Sequence, residues 1–466
     1  MRAAHLYYTL TVCAALLPFV THAADVRVAK ALGSQGLNAI RVSLINDESR
    51  AKSSWPYDRP FQHRWTSNRI ASKLFSNLTA GTNGITLPDG SSIDVNLPAE
   101  GAGVRAIIFG DPCSPKSSWG GCDLKDANGN EYDATTVMPD VLNAVQGGAH
   151  PVDFWAMLGD NWYDRYGDEG GATKEFYAMI SDAVKSTVFY TTPGNHDFWM
   201  YGRALEIDTK PQDQYGNGFM QWYAQDTMAA KRDPTMPFNF SVAPKCTTCE
   251  AGVCDCTTQK ADASNFFHYS ILGNVGLLSF SGAHAWEPQA AWFDEACAYF
   301  ADAKTQPEHV LLISHFSDCE NGACCSSAST GKGSIPGCST QDMDVFSIQK
   351  LLHTSPRFAG GPCARALGAM GHSHCNALKY YSDQTAPIFQ LGGMGMSSAA
   401  CSETSNPSEV WGFGLFDTTG GSRLVYFPFA LPDAADQDDV RACLKKNGGD
   451  LDACVEGYGT QWWPVA

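Results

Sequence analysis

Short apolar runs, each closed by a glycine or a polar residue, recur along the middle of this chain. They are AIIF at Ala106–Phe109, FWAML at Phe154–Leu158, VFY at Val188–Tyr190, VLLI at Val310–Ile313 and ALGAM at Ala366–Met370. Runs this short and continuous predict buried strands. Each leads towards a residue that can ligate a metal: Asp111, Asp160, Asn195, His315 and His372 in turn. Later strands are expected at Ile388–Leu391 and in a hairpin, VWGFGLFDTTGGSRLVYFPF, turning at Thr418–Gly421. Two segments carry helical spacing instead. Thr173–Lys185 repeats Phe176, Ile180 and Val184 behind a Thr cap, and Gln289–Ala303 repeats Trp292, Ala296, Tyr299 and Ala303. Their aromatic side chains read as core. Strands that end in functional groups are the mark of an α/β fold, where such groups gather just outside the carboxyl ends of the sheet.

Five motifs hold those groups in order: FGDPC with Asp111, GDNWY with Asp160 and Tyr163, GNHD with Asn195 to Asp197, LISHF with His315, and GHSHC with His372 and His374. The residue types suit one chemistry. Two cations roughly 3.5–4 Å apart clamp the attacking and leaving oxygens of an in-line displacement at phosphorus. Iron, zinc and manganese accept such a mixed oxygen and imidazole donor set.

The order and content of these motifs resemble the calcineurin-like metallophosphoesterases, and Tyr163 points to their purple acid phosphatase-like branch. The resemblance implies a four-layer αββα sandwich, two mixed sheets flanked by helices. It also implies two metal ions. Fe(III) would lie on Asp111, Asp160, Tyr163 and His374, and a divalent ion (Fe, Zn or Mn) on Asp160, Asn195, His315 and His372, with Asp160 bridging. The first motif departs from the commonest family pattern, Asp-x-His, because Cys113 stands where the His would be. A tyrosinate from Tyr163 supplies the missing ligand in the purple branch. His196, with Asp197 beside it, takes the catalytic role: a hydrogen bond to phosphate and a proton for the leaving alkoxide, typically worth roughly 10²–10⁴-fold. The implied reaction is hydrolysis of phosphate monoesters by a metal-bound hydroxide. Two other readings stay open: a secreted phosphodiesterase or nucleotidase on the same fold, and a non-catalytic, metal-bearing binding protein. Ester screening on a monoester and a diester separates the three.

The motifs place a catalytic domain at 104–430, after a lead-in at 24–103 rich in turn signals and before an acidic tail at 431–466. Residues 1–23 read as a secretory signal, with Arg2, a short apolar core interrupted by Pro18, and a Thr-His-Ala end. No later stretch is long and apolar enough to span a bilayer. Of seventeen Cys, Cys13 lies in that signal, and the even remainder implies disulfides, with Cys113–Cys122 and Cys443–Cys454 as local candidates. Cys113 as a soft ligand and CTTCEAGVCDC (Cys246–Cys256) as a zinc site are the competing readings, which export disfavours. Asn77 and Asn239 open N-glycosylation sequons. Secretion or a lysosome-like compartment is therefore expected. The net charge of −17 argues against nucleic acid as a partner and favours small phosphorylated substrates. His284 is a weak candidate for substrate contact, and His268, His309 and His353 read as ordinary structure. Oligomeric state cannot be read from this sequence.

Overall fold

The structure is a computed structural model that describes residues 25–31, 38–45, 70–112, 124–125, 131–132, 134–163, 170–194, 196–200, 203–205, 222–225, 248–250, 253–255, 267–282, 286–302, 304, 306–316, 345–372, 374–380, 386–394, 411–429 and 439–464. The expected signal, the Cys113–Cys122 pair, Asn195, Asn239 and His284 lie outside these residues. Of CTTCEAGVCDC, the described parts form a two-stranded ribbon, β13 (Thr248–Glu250) with β14 (Val253–Asp255).

Two mixed sheets carry the fold. The larger has nine strands in the order β23-β22-β21-β6-β9-β10-β1-β2-β3. These are β1 (Asp25–Lys30), β2 (Ile40–Ile45), β3 (Ile70–Phe75), β6 (Arg105–Phe109), β9 (Phe154–Met157), β10 (Val188–Thr191), β21 (Trp411–Asp417), β22 (Arg423–Phe429) and β23 (Thr460–Trp463). The smaller has six, in the order β15-β16-β17-β18-β20-β19. They are β15 (His268–Leu272), β16 (Val275–Ser279), β17 (His309–Ser314), β18 (Leu367–Met370), β19 (Asn376–Tyr380) and β20 (Pro387–Leu391). At the heart of each sheet the strands run parallel: β6, β9, β10 and β1 in one, and β16, β17, β18 and β20 in the other.

Side chains alternate across a strand, so each apolar run feeds two cores at once. In β6, Ala106 and Ile108 enter the core shared by the two sheets, while Ile107 and Phe109 enter the outer core under the helices. In β17, Leu311 and Ile313 face the shared core, and Val310 and Leu312 the other outer core. This explains why the runs look continuous in sequence. Outside the large sheet lie α1 (Val137–Gln146), α2 (Gly171–Met179) and α6 (Val440–Lys446). Outside the small sheet lie α4 (Trp286–Ala301) and α5 (Val345–Thr354). Helix, sheet, sheet, helix is the expected four-layer sandwich. No helix among the described residues is long and apolar enough to cross a membrane.

The helix expected over Thr173–Lys185 is broken. α2 stops at Ile180, whose backbone is extended (φ −91°, ψ 147°), and α3 (Asp182–Lys185) restarts behind a Ser181 cap. Asn143, on α1, explains the break. Its amide donates to Met179 O at 2.9 Å and accepts from Ser181 N at 2.6 Å, so a side chain replaces the helical bonds that the kink removes. Phe176, Ile180 and Val184 are buried all the same.

Two disulfides lie among the described residues. Cys443–Cys454 closes the segment after α6, as expected from its spacing, and Cys297–Cys363 ties α4 to the turn before β18. A second staple is ionic. Asp417 Oδ2 accepts from Arg105 Nη1 and Arg423 Nη2, both at 2.8 Å, and the same two nitrogens reach Asp452 at 3.0 and 2.6 Å. Burial alone would raise the Asp417 carboxyl. Bonds from Thr419 and Arg423 outweigh it and hold the group below its usual 3.8. A carboxylate depressed in the folded state stabilises fully above its ordinary value and loses that contribution as pH falls through the lowered one. Asp417→Asn is therefore expected to lower stability by about 3 kcal/mol at neutral pH. Urea denaturation should show the gap closing below the ordinary carboxylate range.

Candidate dinuclear metal centre

The parallel strands of both sheets end at one place, and the motif residues gather there. Asp111 follows β6, Asp160 and Tyr163 follow β9, His315 follows β17, and His372 and His374 follow β18. The turns that turn these side chains inward are strained. Asp111 (φ 53°), Asp160 (φ 50°), Trp162 (φ 58°), Tyr163 (φ 50°), His372 (φ 72°) and His374 (φ 51°) all occupy the left-handed region. Only Asn77 and Ala224 join them among the described non-glycine residues. Each such residue costs on the order of 1–3 kcal/mol, and costs of this kind concentrate where function over-determines the backbone.

Two donor groups result, and they share Asp160. Asp160, His315 and His372 form one; Asp111, Asp160 and His374 form the other. In the first, His315 Nε2 lies 3.3 Å from Asp160 Oδ2 and 3.0 Å from His372 Nδ1. In the second, Tyr163 Oη lies 2.7 Å from Asp111 Oδ1 and 2.9 Å from His374 Nε2. Ligands about 2.1 Å from one ion would stand about 3.0–3.4 Å apart in octahedral or tetrahedral geometry, which the two spacings around His315 match, while Tyr163 donates a hydrogen bond to Asp111. The donor set fits a borderline or hard cation at each position.

Outer partners aim the ligands. His315 Nδ1 donates to Leu158 O at 2.8 Å, which turns Nε2 towards the site. The second oxygen of Asp111 accepts from His372 N at 2.8 Å, and that of Asp160 accepts from His196 N at 2.9 Å. Two glycines provide clearance. A Cβ at Gly159 (φ +89°) would meet the His315 ring at 2.6 Å, and one at Gly194 would collide with Asp160.

Electrostatics point the same way. Burial pushes the His315 imidazole down, but Asp160 and Asp111 reverse this and carry it up to about 9. Burial would raise Asp160, and His315 and His196 overcome it to leave the carboxyl lowered. Burial, with Asp111 and Asp160, lifts the Tyr163 phenol well above 10.0. Burial and the neighbouring His315 bring His372 down to about 4. The pocket thus recruits a proton as its positive charge, and a metal ion would take over that charge with release of the proton.

The two residues expected to be catalytic part company. His196 stays at the mouth, its side chain 16% exposed, with Nε2 3.8 Å from Asp160 Oδ2 and its ring 4.9 Å from that of Tyr163. Asp197 turns away from it and is buried. Its carboxylate accepts from Gly194 N at 2.8 Å and Asn161 N at 3.0 Å, and burial and Asp160 raise it to about 8. Asp197 therefore ties two ligand loops together. His268, His309 and His353 are tied into the framework through Tyr190, Ser422 and Ala366 O respectively. Sequence reasoning missed Asn161, Thr191 and Gln225, which are fully buried beneath the site. Asn161 at least sits inside the GDNWY motif; Gln225 lies outside every motif, with no signal of its own.

Among solved structures, the chain is similar to a purple acid phosphatase isolated from yellow lupin (Lupinus luteus) seeds, with 15% identity over 89% of this chain and 73% of that one, at a TM-score of 0.46. It is similar also to PhoD, with 8% identity over 92% of this chain and 97% of that one, at a TM-score of 0.43. No protein-family model and no curated protein matches the sequence.

Gly194→Ala should displace Asp160 and weaken metal retention at least about tenfold, the usual scale for disturbing a ligand's support. Metal content after dialysis against a chelator measures this, and an unchanged far-ultraviolet circular dichroism spectrum would show that the fold survives.

Proposed function

We propose that this protein is a secreted, dinuclear acid phosphatase that hydrolyses phosphate monoesters. The observation that carries the reading is the phenol of Tyr163, wedged between Asp111 and His374 in a buried cluster that lacks the His of the commoner first motif. Asp111, Asp160, Tyr163 and His374 would hold Fe(III). Asp160, Asn195, His315 and His372 would hold a divalent Fe, Zn or Mn ion, with Asn195 assigned from its motif alone. When bound, the pair supplies an activated water and neutralises the phosphate charge.

The remaining work falls to side chains of this chain. Asp160 sets the spacing of the two positions by serving both. His196, partly exposed at the mouth, hydrogen-bonds the substrate phosphate and delivers a proton from Nε2 to the leaving oxygen. Asp197 holds the loop that carries His196 against the GDNWY turn. The acidic surface repels polyanions and leaves small phosphorylated molecules as the substrates. Export is supported by the disulfides and the leader-like first residues, and the exposed Asn77 offers a glycan acceptor.

His196→Ala should depress turnover of alkyl phosphates by about 10²-fold or more, and activated aryl phosphates far less, because only a poor leaving group needs the proton. Equal loss on both would assign His196 to phosphate positioning. Faster turnover of a diester than of a monoester would replace the phosphatase reading with a phosphodiesterase. Tyr163→Phe should abolish a visible phenolate-to-Fe(III) charge-transfer band in the oxidised protein. A colourless wild-type protein, fully active with zinc or manganese alone, would show that the tyrosine is only packed there.

A further inference from the structure

Beneath the metal centre lies a closed set of hydrogen bonds that none of the five motifs explains. Thr191, the last residue of β10, is gripped by the side chain of Gln225. Oε1 accepts from Thr191 N at 2.9 Å, and Nε2 donates to Thr191 O at 2.8 Å. An amide side chain here imitates the edge of a neighbouring strand. Thr191 Oγ1 then donates to Asn161 Oδ1 at 2.9 Å. Asn161 follows Asp160 directly, and its backbone N–H and amide donate to Asp197, which also holds Gly194 N. Gln225 Nε2 lies 3.3 Å from His268 Nε2, and His268 Nδ1 lies 2.9 Å from Tyr190 Oη. Burial keeps His268 neutral.

All of these groups are buried, and the chain of bonds ends on the two loops that carry Asp160 and His196. Gln225 comes from elsewhere in the chain, between the GNHD motif and β15. We propose that Gln225 is a positioning residue: through Thr191 and Asn161 it locks the Asp160 turn in its left-handed form, so that a residue from outside the five motifs supports the metal centre from below. The proposal rests on the assignment of Asp160 as a metal ligand.

The test uses the full chain loaded with Zn(II), with release to excess EDTA followed over time. Gln225→Leu removes both side-chain bonds to Thr191, Thr191→Val removes only the hydroxyl, and Leu444→Ala removes core packing on α6, which makes none of these bonds. The first two should each release metal about tenfold faster than wild type, as loss of a ligand's support does. Their double variant should cost little more than the worse single, because both break one network. Leu444→Ala should release metal at the wild-type rate despite a comparable fall in Tm. On a phosphate monoester, kcat should fall for both clamp variants with KM nearly unchanged. Release rates that simply track Tm across the three variants would overturn the proposal. A wild-type protein that binds zinc but cleaves no ester would overturn the phosphatase reading alone, since zinc release still reports on the clamp. Failure to take up zinc at all would overturn both.

Discussion

Two carboxylates, three imidazoles and a phenol are brought together at the strand ends of two sheets, most of them buried, and such a cluster needs positive charge. Isolated ions are expensive to bury. Without a metal, His315 takes a proton and partly balances Asp111 and Asp160. Most other features near the site follow from this demand. Left-handed turns aim the donors, glycines leave room for them, and backbone N–H groups take up the carboxylate oxygens that face away from the centre.

The sandwich makes that concentration possible. Parallel strands from both sheets point their carboxyl ends to one edge, so residues from distant parts of the chain converge without long loops to carry them. The aromatic bed under the GDNWY turn adds stiffness. Trp162 packs on Phe176 at 4.8 Å between ring centres and on Tyr223 at 5.9 Å. Strain in the turn is thus held from below by packing and from the side by hydrogen bonds.

Much of this was legible in the sequence, for a physical reason. A strand buried on both faces reads as a nearly continuous apolar run, so β6, β9, β10, β17 and β18 announce themselves, and Asp111, Asp160, His315 and His372 stand within three residues of four of their ends. The hairpin of β21 and β22 was equally plain from its TTGG turn. The kink at Ile180 was invisible, because the periodicity of Phe176, Ile180 and Val184 survives it while its cause, Asn143, sits on another helix. The inward turn of Asp197 was hidden for a similar reason. Its partners, Gly194 N and the Asn161 amide, are defined only once two loops meet. Gln225 had no local pattern to betray it. Motifs report which groups do chemistry, whereas the groups that hold them are chosen by three-dimensional adjacency.

The place of β1 in the large sheet has a consequence for assembly. Ala29 pairs with Phe189, and β2 with β3 extends the sheet beyond β1. During synthesis these three strands can form a meander early, but the outer edge of β1 has no partner until β10 emerges much later. A nascent chain would carry an open strand edge through that interval, a state prone to pairing with other chains. Contacts of such long sequence separation also slow folding, since loop-closure entropy is lost before pairing rewards it. β10 is the strand that leads into the GNHD loop, so the same event that closes the edge sets one wall of the metal centre. Competence to bind metal should therefore arrive late in folding, when the protein is already committed to its final topology.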